Sequence, residues 1–112
     1  MSEFALVYRR GDEKLSPEEL QEHLKNCLDW FKVLIDKGTI KDPGVPLGPS
    51  GSVVVGRQLA VHDGPFAEAK DVIAGFTLVT AKDLAEAIEI AKTCPIAHVG
   101  GSVEVRPVQS CN

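Results

Sequence analysis

Two amphipathic helical patterns, each set between strand-like runs, constrain this chain more than any other feature. The clearer one is "LSPEELQEHLKNCLDWFKVLIDKG", Leu15 to Gly38. Ser16 suits an N-cap, Pro17 suits the first helical position and Glu19 completes a capping box. Leu20, Leu24, Cys27, Leu28, Phe31, Leu34 and Ile35 recur at helical spacing and form one apolar stripe. Gly38 then fits a left-handed stop. Trp30 and Val33 lie off the stripe, where they serve either rim packing or an inter-subunit contact. The second pattern runs from about Ala81 to Thr93, with Thr80 as N-cap and Leu84, Ala87, Ile88 and Ala91 as its stripe. Cys94-Pro95 ends it.

The strand-like runs complete the order. "FALVY", Phe4 to Tyr8, is apolar on both faces, as a central strand would be. "TIKDPGVPLGPSGS" is dense in Pro and Gly, so any strand there is short or at an edge. "VVV" and "LAVH", separated by "GRQ", read as a hairpin. "AGFTLV", Ala74 to Val79, is a further strand, and "HVGG" a loop. In "SVEVRPV", Val103 and Val105 alternate with Glu104 and Arg106. A helix comes between strands twice, which is the split β-α-β order of ferredoxin-like α+β folds. Two helices cover one face of such a sheet. The other face, carrying Glu104 and Arg106, is solvated or buried against a partner. A homodimer joined through it would enclose a cavity with polar groups inside.

Size and charge narrow the function classes. The chain has 112 residues, enough for one domain. A domain this small leaves much surface exposed, and pairing with a second copy buries more. Its formal charge of −4, without a Lys/Arg cluster, argues against broad nucleic-acid or membrane-surface binding. The apolar start "FALVY" is too short for a signal sequence or a membrane span, so a cytoplasmic protein is expected. Cys27, Cys94 and Cys111 are scattered and form no CxxC pair. Cys27 and Cys94 sit on predicted apolar helix faces and read as buried, inert thiols.

The stretch "VHDGPFAEAK", Val61 to Lys70, gathers the candidate reactive groups. Its Asp and Gly-Pro explain themselves as a turn: Asp63 accepts a backbone N–H, and Gly64 before Pro65 is extended. Pro65 can also open a helical turn through "PFAEAK". The chemical alternative makes His62 and Asp63 an acid–base pair. Neighbours in a strand point to opposite faces, so this pair forms only if the chain turns between them. A carboxylate beside an imidazole would then orient it for proton transfer near neutral pH. Lys70 and Glu68 either bind an anionic substrate or pair with each other. Tyr8 lines a dimer cavity if it points to the open face, and otherwise packs in the core. His23 and Cys27 are four apart on a helix, a legal spacing for two metal ligands, but two do not close a zinc site. His98, Asp12 and Arg57 read as loop, turn and surface groups. No metal or cofactor is expected.

"DGPFAEAKDVIAGF" resembles the signature of the DGPF branch of the YCII-related proteins. "LVY" followed by "LSPEEL", and the ending "GGSVEVRPV", are also similar to that family, so the resemblance spans Phe4 to Val108. The family consists mainly of small bacterial proteins. The resemblance implies a dimeric α+β barrel of ferredoxin-like subunits and a His-Asp pair in the dimer cleft. Only Asp63 carries over directly. His62 stands where the branch commonly has Thr, Ala74 replaces the first glycine of a Gly-Gly-Phe, and "LSPEEL" lacks a helix-opening histidine. The resulting expectation is a small-molecule enzyme with Asp63 and His62 as catalytic groups and Lys70, Arg106, Glu104 and Tyr8 around the substrate. A non-catalytic ligand-binding or regulatory dimer is the alternative.

Overall fold

A computed structural model describes residues 1–11, 13–64 and 71–109 of the chain. In order, the elements are β1 (Ser2–Arg9), α1 (Pro17–Asp36), β2 (Ile40–Asp42), β3 (Ser52–Val55), β4 (Ala60–Asp63), β5 (Ile73–Ala81), α2 (Leu84–Lys92), α3 (Pro95–His98) and β6 (Ser102–Pro107). The main sheet is antiparallel in the order β2-β5-β1-β6, and β3-β4 is a separate two-stranded hairpin. That strand order is the ferredoxin-like arrangement expected from the sequence.

The register sorts every side chain to a face. Phe4, Leu6 and Tyr8 stand opposite Val79, Thr77 and Gly75 on one neighbour, and Val105 and Val103 follow on the other. These residues meet Ala87, Ala91 and Cys94 in the core, with Leu6 and Val79 fully buried. Burying a side chain of that size stabilises by about 1.5–3 kcal/mol. Ala5, Val7, Phe76 and Leu78 alternate onto the opposite face, together with Arg9, Glu104 and Arg106. Among the described residues no helix covers that face.

Local chemistry sets the helix starts. The Ser16 hydroxyl accepts the Glu19 N–H at 3.1 Å, and the Glu19 carboxylate accepts the Ser16 N–H at 3.0 Å. That backbone N–H holds the Glu19 carboxyl below its usual range. The second helix starts later than predicted. Thr80 is still in β5, where its N–H and hydroxyl both donate to the Thr39 carbonyl, so Asp83 caps instead and accepts from Glu86 at 2.9 Å. Past Cys94 the chain makes one more helical turn, α3, so the loop begins only after His98.

The stripe on α1 is wider than its cover. Leu34 is buried, while Cys27 and Phe31 are half-buried. Leu20, Leu24, Leu28 and Ile35 remain exposed. The helix rests on α3 and on the edge strand β2, so only one side of its stripe meets protein. Trp30 is rim packing: it borders the core, and its Nε1–H donates to the Thr93 hydroxyl at 2.7 Å.

Candidate small-molecule site

Three places hold the candidate groups. The first is the hairpin. His62 and Asp63 are successive residues of β4, paired with Val53 and Ser52. Their side chains therefore leave opposite faces of the hairpin. The chain bends only at Gly64, one residue too late to bring them together, and the Gly64 N–H still donates to the Gly51 carbonyl at 2.6 Å, extending the ladder. Both residues are exposed. Lys70, with Pro65, Phe66 and Glu68, lies outside the described residues.

The second place is the open face of the main sheet. Glu104 accepts from Arg9 at 2.9 Å and from Arg106 at 3.0 Å. These two guanidinium groups, Arg9 first, hold its carboxyl below the usual carboxylate range. The geometry follows from alternation: Glu104 and Arg106 are two apart on β6, and Arg9 is diagonal to Glu104 across β1. Two cations share one carboxylate, which leaves an excess positive charge. Arg9 also donates to the Asp71 carbonyl at 2.8 Å. There it forms part of the wall of a groove of about 610 Å³, shared with the 47–53 segment and with Asp71, Val72 and Ile73. Ser52 and Val53, at the base of the hairpin, line the same groove.

The third place lies on the helix side. Tyr8 does not reach the open face, because it shares the core face with Phe4 and Leu6. It is 6% exposed, and its hydroxyl donates to the Thr77 hydroxyl at 2.6 Å. Thr77 passes the chain on to the Pro43 carbonyl at 3.0 Å. Desolvation pushes the Tyr8 phenol well above its ordinary range, with neighbouring Cys94 and Cys27 adding to the rise and the Thr77 bond opposing it. Beside it is a mostly apolar cavity of about 210 Å³, lined among others by Tyr8, Phe31, Val45, Pro46, Gly75 and Ile96. Close backbone approach builds its wall: a Cβ on Gly44 would sit 1.9 Å from the Phe76 carbonyl oxygen, and one on Gly75 2.8 Å from that of Val45. So Tyr8 does line a cavity, but on the helix side of the sheet, away from Glu104 and Arg106.

His23 Nε2 lies 3.5 Å from Cys27 Sγ, and no group of three metal-ligating side chains forms among the described residues. His98 Nε2 meets the Lys92 carbonyl at 2.8 Å. The sequence reading missed Arg9 and Thr77. Arg9 opens the charged stretch "RRGDEKL", yet it continues the alternation of Ala5 and Val7, which was the available signal. Thr77 is a threonine at a core position, recognisable only once Gly75, Thr77 and Val79 are known to share a face.

No helix among the described residues is long and apolar enough to cross a membrane. The chain is 45% identical over 49 residues to an uncharacterised protein of Rhizobium meliloti (strain 1021). That match covers 43% of this chain and 40% of the relative, so the chain spans well under two thirds of it. A solved structure similar to this chain is 5-chloro-2-hydroxyhydroquinone dehydrochlorinase from Burkholderia phenoliruptrix AC1100, in complex with 2,5-dihydroxybenzoquinone. The two share 19% identity over 95% of this chain and 93% of that one, with a TM-score of 0.45. The YCII-related domain family matches residues 2–112, and the chain belongs to that family.

Proposed function

We propose that this YCII-related protein is a homodimeric small-molecule enzyme whose two copies meet through the open faces of their sheets. The observation that carries this reading is the Arg9 junction. One guanidinium ties Glu104 on the uncovered face to the Asp71 carbonyl, at the wall of a groove whose other side is the base of the hairpin. A bound anion satisfies the cation that Glu104 leaves in excess, which favours a small anionic substrate. Asp63 is the acid–base group of this reading. It is exposed and is the cross-strand neighbour of Ser52, a groove residue. His62 leaves the other face of the hairpin, so Asp63 works without it as an immediate partner. Lys70, which lies outside the described residues, remains a candidate substrate ligand.

A second reading rests on the Tyr8 cavity. Its polar side chain, Tyr8, already donates to Thr77, and its walls are mostly apolar. Such a cavity suits a ligand-binding or regulatory module in which Asp63 serves only the turn. Substituting Asp63→Asn and Arg9→Ala separates the two. A panel of small carboxylates and phenols is first screened by the shift in melting temperature, and turnover of any binder is followed by NMR. Lost turnover with unchanged melting in Asp63→Asn supports the enzyme. Full turnover in that variant, or a binder that ignores both substitutions and is displaced by Tyr8→Ala, overturns it in favour of the module.

A further inference from the structure

We propose that the β3–β4 hairpin is an arm that closes over the open face of a second copy of this chain, so that each site is built from two chains. This rests on the reading that the copies meet through those faces. The first observation is the hairpin's own exposure. Val54 is 61% exposed, Leu59 69% and Val61 64%, and all of β4 is exposed. Among the described residues neither strand makes an extended contact with a helix or with the main sheet. An isolated two-stranded hairpin is at best marginally stable in water, and its two outer edges present unpaired N–H and C=O groups. "SVVV" carries no charge that would blunt such an edge.

Register gives the arm a face. Ser52 pairs with Asp63 and Val54 with Val61, so these four project to one side. That side is apolar toward the tip and acidic at the base. The open face of the main sheet is its complement: Ala5, Val7 and Leu78 are half-buried there, flanked by the Arg9–Glu104–Arg106 cluster with its excess positive charge. Arm and face are continuous, because Arg9, Ser52 and Val53 line one groove. The molecule is also a slab, 46 × 45 × 19 Å, with a radius of gyration of 15.5 Å. A compact chain of this length would measure about 13 Å. A second copy laid on the open face therefore meets the arm, and two-fold symmetry lets the apolar tip of each arm, Val54 and Val61, cover the open face of the other chain while Asp63 stays at the base beside its own groove.

The test is sedimentation of the full chain across a concentration series. The wild type is compared with the arm variant Val54→Asp/Val61→Asp, a milder arm variant Val54→Thr/Val61→Thr, and the face variant Leu78→Arg. The expected result is a dimer that the Asp arm variant weakens on the order of 100-fold, with unchanged far-UV circular dichroism. The Thr variant weakens it less, and Leu78→Arg also dissociates it. Should Leu78→Arg dissociate the dimer while both arm variants bind as the wild type does, the arm is overturned and the open-face reading stands. Should the arm variants dissociate it and Leu78→Arg not, both are overturned as placed. A wild type that is monomeric throughout also overturns both.

Discussion

The hairpin and the main sheet are both antiparallel strand pairs rich in valine, yet only one of them holds itself together. In the main sheet, Leu6 and Val79 are fully buried and even the polar Thr77 finds two partners. In the hairpin, Val54 and Val61 stand opposite each other and remain largely exposed among the described residues. Strand propensity is the same in both, because β-branched residues favour a pleated surface wherever it lies. The difference is the layer of helices. It teaches that the apolar pattern of a strand states what must be covered, not what covers it.

The largest effect should come from removing matched apolar side chains in the two regions. Leu6→Ala leaves a cavity in a closed core and should cost about 2–5 kcal/mol in denaturant unfolding. Val54→Ala removes a side chain that one chain alone leaves in water, and should cost within about 0.5 kcal/mol at concentrations where the protein is monomeric. A Val54→Ala cost that grows with protein concentration would sharpen the contrast into evidence of a partner. A cost near that of Leu6→Ala in the monomer would break it.

Two glycines give the next contrast. Gly44 and Gly56 have similar left-handed φ values, +68° and +72°. An L side chain in that region costs about 1–2 kcal/mol wherever it sits. At Gly56, in the hairpin turn, an added Cβ meets nothing within 4 Å, so Gly56→Ala should cost only that strain. At Gly44 the Cβ would collide with the Phe76 backbone, so the segment over the Tyr8 cavity must also move. Gly44→Ala should lose more than Gly56→Ala, and chemical shifts of Tyr8 and Thr77 should change only in the former. Equal losses would mean that the Gly44 segment is as loosely held as the hairpin.

How much of this was legible in the sequence divides along the same line. The order of elements, the capped start of α1 and the alternation of β6 come from local periodicity and side-chain chemistry, and they appear as read. The start of α2 was misplaced because Thr80 and Asp83 are both competent caps. What decides between them is pairing of Ala81 with Ser2, a contact 79 residues away in sequence by the register of β1 and β5. Tyr8 was left between two faces for a similar reason: "FALVY" is apolar on both sides, and only the helices distinguish them. For the site, alternation places Glu104 and Arg106 together, but Arg9 joins them only through the β1–β6 register. The His62–Asp63 pair turned on one residue of turn position, which composition does not fix.

The smallest expected effect concerns the thiols, which probe how well the helix layer covers what lies beneath α1. Cys94 is 1% exposed, and desolvation pushes its thiol up to about 11, with neighbouring Cys27 adding to the rise. Cys27, half-buried under the partly covered stripe of α1, is raised by desolvation as well. A raised thiol favours the neutral form in the folded state. The stability it contributes is therefore complete below the unfolded-state value near 9 and is lost as pH rises through about 11. Melting temperature should fall across that alkaline window. Alkylation followed by peptide mass spectrometry at pH 8 should modify Cys27 before Cys94, since reactivity follows the exposed thiolate. Equal rates at the two positions would show that the cover over Cys94 opens as readily as the edge of α1. The main sheet would then be less unlike the hairpin than its buried side chains indicate.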